Sequence, residues 1–453
     1  MTLASHIGRP VSLQRILYTW WPLAASWLLM GIELPALSAI VARLPDPVIN
    51  LAAYGGVVFP ISMIIESPII MLLAASTALS KDWPSYLLIR RFMMIAGAIL
   101  TGIHVLIAFT PLYYLIVEGV LGVPQEIVEP ARVGLQIMTP WTWSIAYRRF
   151  NQGVLIRFGH SRTVGVGTLI RLSVDAVVLG IGYTLGTIPG IVVASTAVAS
   201  GVISEAVYTG FVIKPVLRNE LKPAPAVQPA LTWKAFWNFY IPLAMTSLLM
   251  LLANPIGSAA ISRMPQALAS LAAWSVVTGL IFMLRSLGIA LNEVVVALLD
   301  QPHSYMNLHR FAWILAGVST GLLLLIVTTR LSTFWFTQVS ALSPQLAVLA
   351  RQGIWLAIPL PALSAFQSWF QGTILHSQRT RGIIESVAIY LITSSIVLIG
   401  GVVWGQVAGL YIGLAALTIS VGMQTFWLWH RSRPAVEQVR QRDVPALVQT
   451  LTE

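Results

Sequence analysis

The stretch WWPLAASWLLMGIELPALSAIVARLP, residues 20–45, returns in altered form as FYIPLAMTSLLMLLANPIGSAAISRMP, residues 239–265. A shift of 220 positions pairs Pro22 with Pro242. Further pairs follow in the same order at shifts of 219 or 220: Pro35 with Pro255, Arg91 with Arg310, Pro140 with Pro359, and Gln152-Gly153 with Gln371-Gly372. A register kept across most of a half-chain indicates an internal duplication, and both copies are strongly apolar.

The composition excludes water as the main solvent of this chain. Hydrophobic residues make up 57% of the 453 residues and charged residues only 9%, whereas a soluble domain carries about 25% charged residues. Lipid cannot satisfy unpaired backbone groups, so long unbroken apolar runs predict spanning helices. Cysteine is absent, which excludes disulfides and thiolate metal sites. The net charge of +11 does not predict a nucleic-acid partner, because the basic residues lie at the ends of the apolar runs.

The apolar runs predict twelve transmembrane helices, since a spanning helix needs about 20 apolar residues. The fold class is therefore an all-α polytopic membrane protein of two six-helix repeats. The first repeat has predicted spans at about 16–42, 50–79, 87–116, 127–157, 164–187 and 190–213, and the second at about 236–262, 268–299, 306–328, 345–375, 382–403 and 407–429.

The expected domains are an N-lobe at 1–213, a cytoplasmic linker at 214–234, a C-lobe at 235–430 and a cytoplasmic tail at 431–453. With the N-terminus in the cytoplasm, 18 of the 27 Lys and Arg residues fall in cytoplasmic segments and five in outer segments. The positive-inside rule thus predicts an inner (plasma) membrane protein with both termini cytoplasmic. Six helices per repeat give the two repeats the same orientation.

Apart from Glu129 at the start of the fourth predicted span, six acidic residues fall inside predicted spans, where a charge costs at least about 2.5–3.5 kcal/mol on insertion scales. Glu33 lies two residues before Pro35, and a proline frees a backbone carbonyl that suits a bound cation. We expect Glu33 to bind H⁺ or Na⁺, with Asp175 and Glu205 as further walls of the site. Asp175 also follows Arg171 by four residues, so a local ion pair is an equal alternative.

Glu66 and Arg285 occupy equivalent positions of the two repeats at a shift of 219. Three interpretations stay open: a gate pair across the central cavity, an anion held by Arg285 while Glu66 takes a proton, or neutralisation of each charge within its own lobe. Asn254 and Glu293 are the other residues expected to line the substrate cavity.

Other charged and small residues carry weaker expectations. Arg148 and Arg149 could attract an anion from the cytoplasm, although anchoring on lipid phosphate is the preferred interpretation. Glu385 is expected to be solvated or paired. The duplicated Gln-Gly pairs predict close helix packing.

The sequence contains no GxSxG, HExxH or P-loop motif, and its seven histidines are scattered. We therefore expect no enzyme activity, no cofactor and no metal site apart from possible Na⁺ at Glu33 and Asp175.

Twelve helices in two repeats resemble the multidrug and toxic compound extrusion fold, within the superfamily of lipid-linked oligosaccharide flippases. The stretches GIELPALSAIVA, LAAYG, AGAILTGIHVLIAFTPLYYLI and LNEVVVALLD look closer to the progressive ankylosis transporters. The resemblance implies a V-shaped pair of lobes, alternating access and an N-lobe cation site, onto which Glu33, Asn151, Asp175 and Glu205 map. The ankylosis branch implies organic anions as substrates.

These observations predict a monomeric secondary transporter in the lipid bilayer that exports a small organic solute, coupled to H⁺ or Na⁺. The resemblance to the ankylosis branch implies that this solute is an organic anion. A lipid-linked saccharide flippase is the alternative within transport. A membrane-embedded transferase is the alternative from another class, and it would normally show a polar loop with paired acids or histidines.

Overall fold

The computed structural model describes residues 11–301, 304–377 and 381–450, with side chains through Asp443. These ranges form twelve long helices at the predicted positions, which confirms an all-α polytopic membrane fold. The helices are α1 (Leu13–Val41), α2 (Pro47–Glu66 and Leu72–Leu79), α3 (Trp83–Phe109), α4 (Val128–Arg157), α5 (Ser161–Leu185), α6 (Gly190–Leu221), α7 (Trp233–Ser262), α8 (Ala267–Ile289 and Leu291–Leu298), α9 (Ser304–Thr328), α10 (Pro344–His376), α11 (Arg381–Trp404) and α12 (Gly409–Thr450).

Eleven of these helices in the described ranges are long and apolar enough to cross a membrane. The exception is α4, which has the length of a span but carries several charged residues. Large apolar side chains stay exposed on outer helix faces, for example Ile99 at 57% and Val403 at 81%. Lipid is the solvent that such surfaces require, because a soluble protein rarely exposes contiguous apolar patches of this kind.

The packing divides the chain into two compact units that differ from the expected lobes. One unit contains residues 37–275 and the other contains residues 1–36 and 276–453. Most of α1 therefore packs with the helices of the second repeat, and α7 packs with those of the first. The expected boundaries at 213 and 235 follow the duplication in the chain, whereas the packed units exchange the first helix of each copy.

Equivalent hydrogen bonds attach each exchanged helix to the second helix of the other repeat. Tyr240 of α7 donates its hydroxyl proton to the Pro68 carbonyl. Trp20 of α1 donates its indole N–H to the Leu287 carbonyl over 3.0 Å. Tyr240 and Trp20 are equivalent at a shift of 220, and Pro68 and Leu287 at a shift of 219. The duplication thus preserves the contact as well as the helices.

The break in α2 explains why its carbonyls are available to α7. Pro68 lacks a backbone N–H and clashes with the preceding turn, so the helix stops at Glu66 and restarts at Leu72. The Ser67 carbonyl, left without a helical donor, accepts the Ser247 hydroxyl of α7 at 2.7 Å. The second repeat has Leu287 in place of the proline, and α8 is interrupted at the single residue Ala290.

The duplicated glycines lie where two helices almost touch, as the Gln-Gly pairs predicted. A Cβ on Gly153 would come within 2.5 Å of the Leu73 carbonyl oxygen. A Cβ on Gly372 would come within 2.7 Å of Val295 in the corresponding part of α8. Small residues permit such close approach between membrane helices.

The predicted linker is shorter than expected, because α6 continues to Leu221 and irregular chain occupies only 222–232. Asp82 joins this linker to the start of α3 by accepting the Ser85 N–H at 3.0 Å and the Val227 N–H at 2.8 Å. Burial opposes ionisation of the Asp82 carboxyl, but the hydrogen bonds from Ser85 and Val227 outweigh it and lower its pKa.

The predicted tail is helical up to Thr450, because α12 continues into it without interruption. Residues 1–10 of the expected N-lobe and residues 451–453 of the expected tail lie outside the described residues. Asp443 of the tail accepts the Tyr305 N–H at 2.9 Å near the start of α9. An acid therefore caps the third helix of each repeat, supplied by Asp82 in one and by the tail in the other.

Candidate functional site

The polar centre of the unit 37–275 is built on α4. Arg148 and Gln152 are four residues apart and share one face of this helix. Arg148 donates to Glu205 of α6 at 2.6 Å, and Gln152 donates to the other carboxylate oxygen at 2.8 Å. All three side chains are buried, and Glu205 is 0% exposed. The ion pair and the amide hydrogen bond together join α4 to α6.

Arg171 of α5 approaches the same carboxylate, with its Nε 3.6 Å from Glu205 Oε2. Two guanidinium groups and one amide therefore surround Glu205. A cation bound there would have to displace an arginine, so this geometry does not favour the expected cation-coupling role of Glu205.

Asp175 lies one turn beyond Arg171, against the backbone of α6. A Cβ on Gly201 would lie 1.8 Å from Asp175 Oδ1, so only glycine fits at that position. Asp175 is 4% exposed. The structure therefore brings Asp175 and Glu205 to the same α5–α6 contact, as expected, but in the company of arginines.

Glu66 is a second buried acid of this unit and has a different environment. It is the last residue of the first segment of α2 and is 3% exposed. The first segment of α2 packs against α4, the helix that carries Arg148 and Arg149. Among the described residues, however, Glu66 Oε2 has no hydrogen-bond partner and no ion pair joins it to either arginine.

Arg149 and Asn151 each have a buried side-chain nitrogen that also lacks a hydrogen-bond partner on the described part of the chain. Arg149 is half-buried and its Nε has no hydrogen-bond partner there, while Asn151 is 2% exposed and its Nδ2 has none. An unpaired charge inside a membrane protein normally faces a cavity or a solute. Glu66 Oε2, Arg149 Nε and Asn151 Nδ2 are therefore among the buried polar atoms of this unit that have no hydrogen-bond partner in the described part of the chain.

Arg285 belongs to the other unit and has a local partner of its own. Its Nε donates to the Ser364 hydroxyl of α10 at 2.7 Å, and Tyr390 of α11 lies near enough to interact electrostatically. The Ser364 hydroxyl carries no charge, and Glu66 makes no ion pair among the described residues. All three interpretations of Glu66 and Arg285 therefore stay predictions.

The remaining expected site residues are divided between the two units. Glu33 is half-buried in the part of α1 that packs with the second repeat, so it is not packed in one unit with Asp175, Glu205 and Asn151. Glu293 is exposed and accepts the Trp27 indole N–H at 3.3 Å. Asn254 is half-buried in α7. Their expected roles in coupling and in the substrate cavity stay predictions.

The sequence did not lead us to expect that Arg148 pairs with a buried glutamate. Lipid anchoring, the preferred interpretation, is wrong for this residue, because it is 8% exposed and bonded to Glu205. The signal that could have found it is the low hydropathy of α4, since a spanning helix with two adjacent arginines normally turns them toward the protein interior or a cavity. Glu385 is paired with Arg431 at 2.9 Å, in line with the expectation.

No group of three His, Asp or Glu side chains among the described residues has the arrangement of a metal site. The candidate site is therefore a cluster of charged and amide groups held by α2, α4, α5 and α6.

Comparison with known proteins establishes the fold. A multidrug resistance MATE family transporter of the MOP superfamily, in its inward-facing conformation, matches 94% of this chain and 99% of its own, with a TM-score of 0.69 and 14% identity. The lipid II flippase MurJ, in an inward closed conformation, matches 95% of this chain and 93% of its own, with a TM-score of 0.71 and 14% identity. A MOP superfamily transporter from Pyrococcus furiosus matches with a TM-score of 0.56 and 14% identity over 95% of this chain and 99% of its own.

No protein-family model matches the sequence, and no curated protein matches it. The chain therefore has the fold of MATE transporters and of MurJ, at an identity that shows the fold alone. These comparisons give no support to the closer likeness to progressive ankylosis transporters.

Proposed function

We propose that this protein is a secondary active transporter that moves a small organic solute bearing a negative charge across the membrane by alternating access. The observation that carries the proposal is the pair of arginines in the middle of a twelve-helix fold shared with MATE transporters and MurJ. In that fold the solute is expected near the bilayer midplane, beside interrupted helices. The interruption of α2 and the arginines of α4 occur together in one unit.

The charge of the solute follows from which groups are already neutralised. Glu205 is bonded to Arg148 and approached by Arg171, so it offers little to a cationic solute. Arg149 has no such bond among the described residues. A guanidinium is a planar donor that matches carboxylate and phosphate groups, and an acidic solute is therefore the better complement.

Coupling to H⁺ or Na⁺ and export from the cytoplasm complete the proposal. Glu33 is the proposed coupling group, because it is an intramembrane acid next to Pro35 in a helix that packs with the second repeat. Intramembrane acids of this kind commonly form proton or ion relays.

A flippase for a lipid-linked saccharide is the second candidate, and a groove on the outer face of α3 and α7 favours it. The groove has a volume of about 630 Å³ and is lined mainly by apolar side chains, with Arg91 and two tryptophans, Trp233 and Trp237, among them. A lipid tail with an acidic headgroup would suit an apolar groove that contains one arginine. Nothing comparable favours the membrane-embedded transferase.

Proteoliposomes with imposed pH or Na⁺ gradients test the proposal. We expect gradient-driven flux of at least one member of a panel of organic acids, and we expect Glu33→Gln to abolish that coupling while the protein still inserts. Exposed Glu126→Gln is the matched control and should transport normally. Translocation of a fluorescent lipid-linked diphosphate without flux of any soluble acid would favour the flippase. If Glu33→Gln couples flux to the gradient as the wild type does, Glu33 is not the coupling group.

A further inference from the structure

We infer that a groove between α9, α10 and α12 binds a phospholipid with an anionic headgroup, whose phosphate is held by Arg433 and whose acyl chain lies against an aromatic wall. The groove has a volume of about 470 Å³, within the range of about 300–1,000 Å³ that is usual for ligand sites. It lies wholly in the unit of residues 1–36 and 276–453, so it is a different site from the polar cluster of α2, α4, α5 and α6. The inference goes beyond the proposed function, because it concerns a lipid bound on the outer face and not the transported solute.

Aromatic side chains form the walls of the groove and hold one another in place. The His309 ring stacks on Tyr305 with centroids 5.7 Å apart and an interplanar angle of 5°, and its centroid is also 5.7 Å from that of Trp369. His309 Nε2 accepts the Trp313 indole N–H at 3.1 Å, and the Trp313 ring packs edge-on against Phe366. The groove is therefore preformed and offers an acyl chain a fixed apolar surface.

The groove opens toward the bilayer. Trp313, Phe426 and Trp429 line it and are 59%, 56% and 38% exposed. Large apolar side chains that stay exposed side by side on spanning helices face lipid, because water opposes the exposure of such a patch. An acyl chain of the surrounding bilayer is therefore the occupant that reaches this groove directly.

The two ends of the groove differ in polarity. Tyr305 lies near the start of α9, and Arg433 lies in the tail, past the apolar part of α12. Asp443 accepts the Tyr305 N–H at 2.9 Å, which places the tail beside the start of α9. Deeper in the spans the groove is lined by Leu363 and Gly422. A headgroup at the first end and an acyl chain toward the second reproduce the orientation of a lipid in the adjacent leaflet.

Arg433 gives the polar end of the groove its charge. Each of the other three arginines of the tail has an acid within 4.0 Å, in the pairs Arg431–Glu385, Arg440–Glu437 and Arg442–Asp443. Arg433 has no such acid in the described part of the chain, and its guanidinium carbon lies 3.8 Å from the centroid of the Trp429 ring. Stacking occupies the face of a guanidinium and leaves its N–H edges able to donate, which suits the oxygens of a phosphate.

The sign of the headgroup follows from the same lining. No Asp or Glu of the described residues lines the groove, so the ammonium group of a zwitterionic lipid would meet Arg433 without a carboxylate to pair with. Phosphatidylglycerol carries only negative charge and meets no such repulsion. Basic residues next to a spanning helix attract anionic lipids for the same reason.

Thermal unfolding of the purified protein in detergent, with lipid added to the micelles, tests the inference. We expect saturable stabilisation by phosphatidylglycerol and much less by phosphatidylcholine with the same acyl chains. Arg433→Gln should weaken the apparent affinity for phosphatidylglycerol about fivefold, the loss expected for one basic residue at a membrane surface. Arg440→Gln is the matched control, because it removes the same charge from the same helix outside the groove. It should bind phosphatidylglycerol like the wild type.

Three results would overturn the inference. Phosphatidylcholine could stabilise the wild type as much as phosphatidylglycerol does, which would remove the role of charge. Arg433→Gln could bind phosphatidylglycerol with the affinity of the wild type, which would remove the role of this arginine. Sodium phosphate could stabilise the protein at the same concentrations as phosphatidylglycerol, which would show that the acyl chain contributes nothing.

A second variant tests the place of the acyl chain without any change of charge. A Cβ on Gly422 would have Leu363 Cδ1 as its nearest neighbour outside its own helix, at 4.0 Å, so Gly422→Leu extends into the groove without displacing a packed helix. We expect its affinity for phosphatidylglycerol to fall several-fold while its unfolding midpoint without lipid stays near that of the wild type. Gly317→Leu in α9 is the control, because a Cβ there meets no atom within 4 Å and the residue does not line the groove. Equal affinities of the two leucine variants would contradict the proposed position of the lipid.

Discussion

Two buried glutamates of one unit differ in what surrounds them. Glu205 has an arginine and a glutamine within hydrogen-bonding distance, whereas Glu66 Oε2 has no partner among the described residues. A buried ion with full partners contributes mainly to the arrangement of helices, because binding anything else means breaking what it has. A buried ion without partners is the one that a solute or a proton can reach at lower cost.

Removal of a single partner from the Arg148–Glu205 pair should therefore be severe. Glu205→Met leaves the buried Arg148 without its carboxylate, at a cost of about 3–5 kcal/mol. Arg148→Met should cost less, because Arg171 Nε still lies 3.6 Å from Glu205 Oε2. The double variant should lose much less than the sum of the two, since neither charge remains alone. Thermal unfolding of the four proteins in detergent measures this coupling. Additive losses would show that the pair does not act as a unit.

The exposed pair Arg431–Glu385 provides the comparison for that experiment. Its side chains are 42% and 37% exposed, and an exposed ion pair contributes about 0–1 kcal/mol. Glu385→Met should therefore change the unfolding midpoint far less than Glu205→Met.

At the scale of the elements, the proline that interrupts α2 has no counterpart in α8. Pro68 interrupts α2 over residues 67–71, while Leu287 at the equivalent position leaves α8 nearly continuous. The interruption places Glu66 at a helix end and exposes carbonyls that α7 then covers. The first repeat thus acquires irregular backbone beside its arginines, and irregular backbone at this depth is tolerated only inside protein or beside a cavity.

The close contact between α4 and the second segment of α2 predicts a strong effect of one methyl group. Gly153→Ala places a Cβ within 2.5 Å of the Leu73 carbonyl oxygen, and overpacking of this kind costs about 1–3 kcal/mol. We expect a lower unfolding midpoint and reduced transport. Gly165→Ala in α5, where a Cβ meets no atom within 4 Å, should be neutral or slightly stabilising. Equal behaviour of the two variants would contradict the contact.

For the whole molecule, the duplication and the positive-inside rule predict that both termini and the linker face the cytoplasm. Labelling of single cysteines checks this orientation, because no native cysteine competes. Glu126→Cys, exposed between α3 and α4, should react with an impermeant maleimide from outside the cell. Ala230→Cys, exposed in the linker, should react only after the membrane is opened. If Ala230→Cys reacts from outside and Glu126→Cys does not, the protein has the opposite orientation in the membrane.

The amino-acid sequence by itself determined the number and position of the helices and the duplication. A lipid bilayer requires about 20 apolar residues for each crossing, so hydropathy reveals every long helix of the described residues except α4. The repeated Gln-Gly pairs also indicated where helices touch, since only small residues permit that approach.

The tertiary structure alone decided which repeat α1 and α7 pack against, and which arginine meets which acid. Helices that are apolar on most faces carry little periodic signal about their rotation or their neighbours. The pairing of Arg148 with Glu205, and the isolation of Arg149 and Glu66, depend on how α2, α4 and α6 are rotated and spaced. Packing sets that rotation, and in a membrane it depends on shape and hydrogen bonds rather than on hydrophobicity, because lipid is as apolar as the helices themselves.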